Sequence, residues 1–154
     1  MILDKWDVAH MKTAKVYASL SSARRLQVGA VIVRDNRIIS IGYNGMPSGW
    51  DNNCEHTTVV NKALPGEPDN FVETLKTKPE VIHAESNAIT KVAASTEQTK
   101  GAVLYTTHAP CVDCAKLIHQ SGIERVVYAE EYPKGDEGLT FLDKCGIVVD
   151  VQPL

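Results

Sequence analysis

His83, Glu85, Cys111 and Cys114 are the residues of this chain whose types and spacing best suit chemistry. One imidazole and two thiolates make three-quarters of a tetrahedral zinc shell. Structural zinc sites close that shell with a fourth protein ligand, whereas catalytic sites leave the fourth position to water. A carboxylate two residues after the histidine then has a task, which is to carry protons to and from that water. The full pattern is His83-Ala84-Glu85 followed by Pro110-Cys111-Val112-Asp113-Cys114. Cys-x-x-Cys alone also suits a redox pair, but a redox pair places no demand on His83 or Glu85.

The spacing constrains the elements that carry these groups. In mid-helix, residues i and i+2 point about 200° apart. His83 and Glu85 therefore serve one site only if His83 stands where the chain enters a helix. Ala84, Ala88, Ile89, Val92 and Ala93 supply the 3.6-residue periodicity of that helix. Cys111 and Cys114 share a face of one helical turn, and Pro110 suits a helix start because its missing N–H is not needed there. A helix N-terminus also favours thiolate over thiol.

The rest of the chain must position these two stretches. Residues 4–20 read as an amphipathic helix with Asp4 near its cap, Trp6, Ala9, Thr13, Tyr17 and Leu20 as the buried stripe, and Lys5, Lys12 and Lys15 outward. A polar loop follows over 21–25. Residues 28–33 and 37–43, joined at Asp35-Asn36, predict a β-hairpin. The loop over 44–49 holds two glycines and a proline, which shape it. From there to about Ile82 the chain reads as a long connection, with one helix around 55–63 and a turn over 65–68. Connections this long tend to be functional or mobile; part is expected to line the site and part to contact a neighbouring subunit. After the His83 helix, 102–107, 123–129 and 147–151 read as strands. Residues 111–120 and 137–145 read as helices, the latter with Leu139, Leu142 and Cys145 inward. Strand and helix alternate here, which favours parallel strands joined by crossovers. The expected fold is α/β: a three-layer α/β/α sandwich around a five-stranded mixed sheet, as a single domain over 1–154.

Composition agrees with that architecture. A chain of 154 residues with 44% apolar and 23% charged residues has the make-up of a soluble globular protein. The formal net charge of −3 leaves no basic footprint for duplex or long-strand nucleic acid, while a mononucleotide needs only two or three local cations. Asp4, Lys5, Asp7 and Lys12 interrupt residues 1–20, so neither a signal peptide nor a membrane span is expected there. The location expected is cytoplasmic (the host's, for a viral protein), and a disulfide between Cys54 and Cys145 is not expected.

His-x-Glu followed by Pro-Cys-x-x-Cys is a known signature of zinc-dependent nucleobase deaminases, and the chain resembles the cytidine/deoxycytidylate deaminase superfamily. Val28-Gly29-Ala30-Val31-Ile32-Val33, Gly42-Tyr43-Asn44-Gly45-Met46-Pro47-Ser48-Gly49 and His83-Ala84-Glu85-Ser86-Asn87-Ala88-Ile89 look specifically like its deoxycytidylate (dCMP) deaminases. The likeness runs from about Val28 to Val151 and is weakest over 50–79, where such proteins vary in length and some carry a second zinc. It implies hydrolysis of dCMP to dUMP and ammonia, feeding thymidylate synthesis. It also implies that His83, Cys111 and Cys114 hold zinc, that Glu85 shuttles protons, and that Asn44 bonds the sugar 3′-hydroxyl. A backbone carbonyl near Ala109 suits the 4-amino group, with Thr107 and His108 beside it. For the phosphate, Ser22, Arg24 and Arg25 are the local candidates, Arg25 first, with Tyr132 and Lys134 closing the other side; a solvated basic turn is the plain alternative for 22–25. Cys54 and His56 offer two of the four ligands of a second zinc site. The resemblance further implies a homo-hexamer activated by dCTP and inhibited by dTTP, with Mg²⁺ on the effector triphosphate. Two alternatives stay open: a zinc deaminase of tRNA adenosine, free cytidine or a pterin or flavin precursor, and a non-catalytic structural zinc module.

Overall fold

The computed structural model describes residues 4–154; residues 1–3 of the N-terminal segment discussed above lie outside the described residues. α1 (Lys5–Ala18) starts at Asp4, whose carboxylate accepts from the N–H groups of Trp6 and Asp7. That satisfies two donors which a helix start leaves without intrahelical partners. β1 (Gly29–Arg34) and β2 (Arg37–Tyr43) pair antiparallel about Asp35 and Asn36. Both turn residues have positive φ, 51° and 58°, as a two-residue hairpin turn with the twist of its strands requires. Then come β3 (Glu55–Asn61), β4 (Phe71–Thr77), α2 (Ala84–Ala93), β5 (Val103–His108), α3 (Val112–Gln120), β6 (Arg125–Glu130), α4 (Glu137–Lys144) and β7 (Val148–Val151).

The main sheet has five strands in the order β2-β1-β5-β6-β7. β1 is antiparallel to β2 and β5, while β5, β6 and β7 run parallel. Alternate side chains of a strand face opposite ways, and here each set meets helices. Ala30, Ile32, Leu104 and Val126 pack under Ala84 and Ala88 of α2, Ile118 of α3 and Leu142 of α4. On the opposite face Val31, Val33, Tyr105 and Val127 receive Met11 and Ala14 of α1. The three-layer sandwich expected above is therefore the observed architecture.

Two local expectations are corrected. The buried face of α1 is Asp7, His10, Met11, Ala14 and Ala18, one residue away from the expected stripe, and Trp6 and Leu20 are 48% and 57% exposed. The cause is the closeness of the helix to β1: a Cβ on Gly29 would lie 2.0 Å from the Ala14 carbonyl oxygen, so only small side chains fit at that crossing. The polar residues on the face are buried because they are partnered, Asp7 by Arg125 and Tyr105 and His10 by Asn36.

The helix expected around 55–63 is strand β3. Thr57, Thr58, Val59 and Val60 are β-branched, which favours a strand, and β3 pairs with β4 along its whole length, from Glu55↔Thr77 to Asn61↔Phe71. The expected turn over 65–68 closes this hairpin. It forms a second, two-stranded sheet separate from the main one. Val59, Leu64 and Phe71 on it are each more than 60% exposed, whereas Cys54 and Glu55 at its base are buried. No helix among the described residues is long and apolar enough to cross a membrane.

Candidate active site

Two helix N-termini meet at the metal-binding residues. His83 is the N-cap of α2 with extended backbone (φ −68°, ψ 155°), which lets it and Glu85 serve one site. Cys111 is the N-cap of α3, and its Sγ accepts from the Cys114 N–H at 3.5 Å. Close backbone packing holds both helices in place. A Cβ on Gly42 of β2 would lie 2.2 Å from the Ala84 carbonyl oxygen, and one on Gly138 of α4 would lie 1.9 Å from the Pro110 carbonyl oxygen.

His83 Nδ1 stands 3.4 Å from Cys111 Sγ and 3.5 Å from Cys114 Sγ, and all three ligand atoms lie within 4.8 Å of one another. Zinc bonds of about 2.05 Å to nitrogen and about 2.3 Å to sulfur at a tetrahedral angle place the two ligands about 3.6 Å apart. The three residues thus fit a zinc ion, and they make a His/Cys/Cys zinc site. The electrostatics agree. The hydrogen bond from Cys114 and the neighbouring His83 hold the Cys111 thiol well below the usual thiol range, against its burial. The same bond, with burial, pushes Cys114 up, so the pair shares one proton that a dication would displace. His83 is raised, chiefly by its hydrogen bond to Cys111. Ser86 Oγ lies 3.4 Å from Cys114 Sγ and can donate to it. Glu85 is 4% exposed, and burial pushes its carboxyl up.

His83, Glu85 and Cys111 form part of the wall of a cavity of about 280 Å³. Leu26, Val28 and Val81 give it apolar surface, and Arg25 and Lys134 give it positive charge. Asn44, Ala109, His108 and Tyr132 also line it. Asn44 holds the neighbouring chain in place: its Oδ1 accepts from the Val28 N–H and its Nδ2 donates to the Leu26 carbonyl, both at 2.8 Å. The Leu26 bond uses one of the two amide hydrogens. The His108 ring lies between Thr107 Oγ1, 3.2 Å from Nδ1, and Glu130 Oε2, 3.3 Å from Nε2, and burial lowers its pKa. Burial raises the Tyr132 phenol, helped by the nearby Cys111 and Glu85.

Other residues singled out from the sequence stand outside this cavity. Thr107 is fully buried and accepts from the Gly29 N–H. Ser22 donates to the Asn52 carbonyl at 2.9 Å and lies in an outer recess with Lys15 and Arg24. Arg24 is tied to Glu55 and Asn53. Cys54 is fully buried and donates to Asn52, while His56 is exposed on the hairpin. Among the described residues, His83, Cys111 and Cys114 are the one group of three or more side chains placed to share a metal. No disulfide joins any of the four cysteines.

Glu55 and Thr77 line the cavity and went unrecognised in the sequence. The one available signal was an acidic residue heading a β-branched run, and reading that run as a helix hid it.

Residues 4–130 match the family described as the cytidine and deoxycytidylate deaminase zinc-binding region. The chain is similar to deoxycytidylate deaminase of Mycobacterium phage D29, at 39% identity over 126 residues, covering 82% of this chain and 95% of that one. It is similar to ComE operon protein 2 of Bacillus subtilis, at 34% identity over 145 residues, covering 94% and 70%. In three dimensions it resembles the dCMP deaminase of cyanophage S-TIM5 in complex with dCMP and dUMP. The TM-score is 0.81 at 35% identity, covering 99% of this chain and 100% of that one.

Proposed function

The chain belongs to the cytidine and deoxycytidylate deaminase family, and from that footing we propose that it hydrolyses dCMP to dUMP and ammonia. The observation that carries the reading is the meeting, on one cavity wall, of a buried carboxyl beside the His/Cys/Cys set and the two cations Arg25 and Lys134. The likeness to a chain whose crystal structure holds dCMP and dUMP supports it.

His83, Cys111 and Cys114 would hold zinc, which when bound would supply a water with its pKa lowered toward ~7. Glu85 takes a proton from the attacking water and delivers it to ring N3, which makes C4 electrophilic. After attack at C4, Glu85 passes the second water proton to the 4-amino group, which leaves as ammonia while N3 keeps its hydrogen and C4 becomes a carbonyl. Leu26, Val28 and Val81 offer the base an apolar wall that keeps bulk water out. The remaining amide hydrogen of Asn44 meets the 3′-hydroxyl and a carbonyl at Ala109 accepts from the 4-amino group. Arg25, Lys134 and Tyr132 meet the phosphate. Thr107 and Ser22 act at one remove, by fixing the His108 ring and the 52–54 segment.

The test is ammonia release from dCMP, deoxycytidine, cytidine, dCTP and tRNA by the zinc-loaded protein. dCMP should exceed deoxycytidine by about two to four decades in kcat/KM, since two charge-assisted bonds of ~1.5–3 kcal/mol each bear on the phosphate. Turnover of cytidine or tRNA adenosine with dCMP inert overturns the reading in favour of another deaminase; no ammonia from any of them favours a structural zinc module. The reading extends to a cytoplasmic homo-hexamer activated by dCTP and inhibited by dTTP, with Mg²⁺ on the triphosphate. The exposed Val59, Leu64 and Phe71 of the hairpin support the association of copies in that extension. A monomer in light scattering with hyperbolic kinetics indifferent to both triphosphates would overturn it.

A further inference from the structure

Glu55 is a buried charge that the chemistry above does not use. It is 1% exposed, it lines the cavity, and it is the first residue of β3. Its Oε1 accepts from the backbone N–H groups of Arg24 (2.8 Å) and Arg25 (3.2 Å), and its Oε2 lies 3.4 Å from Arg24 Nε. Directly across the ladder stands Thr77, which also lines the cavity and whose hydroxyl accepts from Arg25 Nη1 at 3.0 Å. One rung at the base of the hairpin therefore holds Arg25 twice, by its backbone and by its guanidinium.

A carboxylate on the wall of a cavity that receives a phosphate is a liability, because like charges repel. Here that charge is absorbed locally. Burial alone would raise the Glu55 carboxyl, but the N–H groups of Arg25 and Arg24 and the Arg24 side chain outweigh it and hold it below the usual range. The two adjacent arginines thus have different duties. The Arg24 guanidinium is spent on Glu55 and Asn53. Among the described residues, the Arg25 guanidinium bonds only the neutral Thr77 hydroxyl, a partner that a dianion readily displaces.

We infer that Glu55, seconded by Thr77, is a positioning residue for substrate specificity: it fixes Arg25 so that its guanidinium meets the phosphate, and the hairpin base thereby separates nucleotide from nucleoside. The inference rests on the dCMP reading. Its mechanism is orientation, which pre-organises a contact without adding one to the substrate.

The experiment compares zinc-loaded wild type, Glu55→Gln, Thr77→Val, Arg25→Ala and the Arg25→Ala/Glu55→Gln double variant on dCMP and deoxycytidine. Glu55→Gln should raise KM for dCMP about fivefold or more while kcat stays within about twofold, the pattern of lost binding and not of lost chemistry. The preference for dCMP over deoxycytidine should fall by the same factor. In the Arg25→Ala background, Glu55→Gln should add less than about twofold, because a residue acting through another has nothing left to position. Thr77→Val should shift KM in the same direction by less, and it decides the matter if Glu55→Gln yields little folded protein. Additive effects in the double variant, or equal losses on both substrates, would make Glu55 a folding residue and overturn the inference. A wild type that prefers dCMP beside an undisturbed Glu55→Gln overturns the inference alone. A wild type indifferent to the phosphate overturns the dCMP reading beneath it.

Discussion

The proton-carrying role proposed for Glu85 calls for shielding from bulk water, and its burial provides that shielding. Glu85→Gln keeps the shape and the metal ligands but cannot carry a proton. It should retain about one zinc per chain in metal analysis and lose ~10²–10⁴-fold in turnover, the usual weight of general acid–base catalysis. Turnover near the wild-type rate would refute the proton-shuttle role. His83→Ala, by contrast, should lose zinc and activity together. At the phosphate side, Arg25→Ala should lower kcat/KM for dCMP at least about tenfold more than for deoxycytidine, since one charge-assisted bond exceeds the ~1.4 kcal/mol of a decade. Equal losses on both substrates would make Arg25 a folding residue, and no loss on either would move the phosphate to Lys134. His83, Cys111 and Cys114 were legible because metal chemistry imposes residue types at short spacings. Glu55 and Thr77 were not, because their partners Arg24 and Arg25 lie far away in sequence.

At the scale of elements, each metal ligand depends on backbone pressed against backbone. The first turn of α4 reaches the chain that leads into α3 only because residue 138 has no Cβ, which would otherwise stand 1.9 Å from the Pro110 carbonyl oxygen. Gly138→Ala must push the Pro110–Cys111 peptide or tilt α4. Zinc affinity, read by chelator competition, should weaken about tenfold, as when an outer support of a metal ligand is removed, and overpacking should destabilise by about 1–3 kcal/mol. Lower stability with unchanged zinc affinity would confine Gly138 to packing. The strand–helix alternation after Ala102 was legible from periodicity, and so was the hairpin at Asp35-Asn36, which carries the residues its turn demands. The face of α1 was not, because periodicity finds large apolar residues, whereas a helix crowded against Gly29 buries Ala14, Ala18 and a partnered Asp7. The hairpin of β3 and β4 was missed for the opposite reason: it buries little, so its strands show no clean alternation of apolar and polar residues.

The molecule as a whole is tied together by a small polar network between α1 and strands β5, β6 and β7 on the sheet face it covers. Arg125 on β6 donates from Nη1 and Nη2 to the two carboxylate oxygens of Asp7, at 2.8 and 3.0 Å, and from Nε to Asp150 on β7 at 2.7 Å. The Tyr105 hydroxyl donates to Asp7 at 2.7 Å. This network joins the first helix to the last two strands, and its charges lie mostly out of water. The Arg125 guanidinium holds the Asp7 carboxyl below the usual carboxylate range, against its burial. A carboxyl lowered in the folded state stabilises the fold fully above the unfolded pKa of about 3.9, and that stability is lost as pH falls through the folded value. Asp7→Asn leaves Arg125 short of a buried partner and should cost about 3 kcal/mol at pH 7, or roughly 6–12 °C in Tm for a chain of this length. The difference between wild type and variant, followed by denaturant unfolding, should stay constant from pH 7 to about pH 5 and shrink steadily below about pH 4. A difference that persisted undiminished at pH 3 would mean that the hydrogen bonds at Asp7, and not its charge, hold α1 to the sheet.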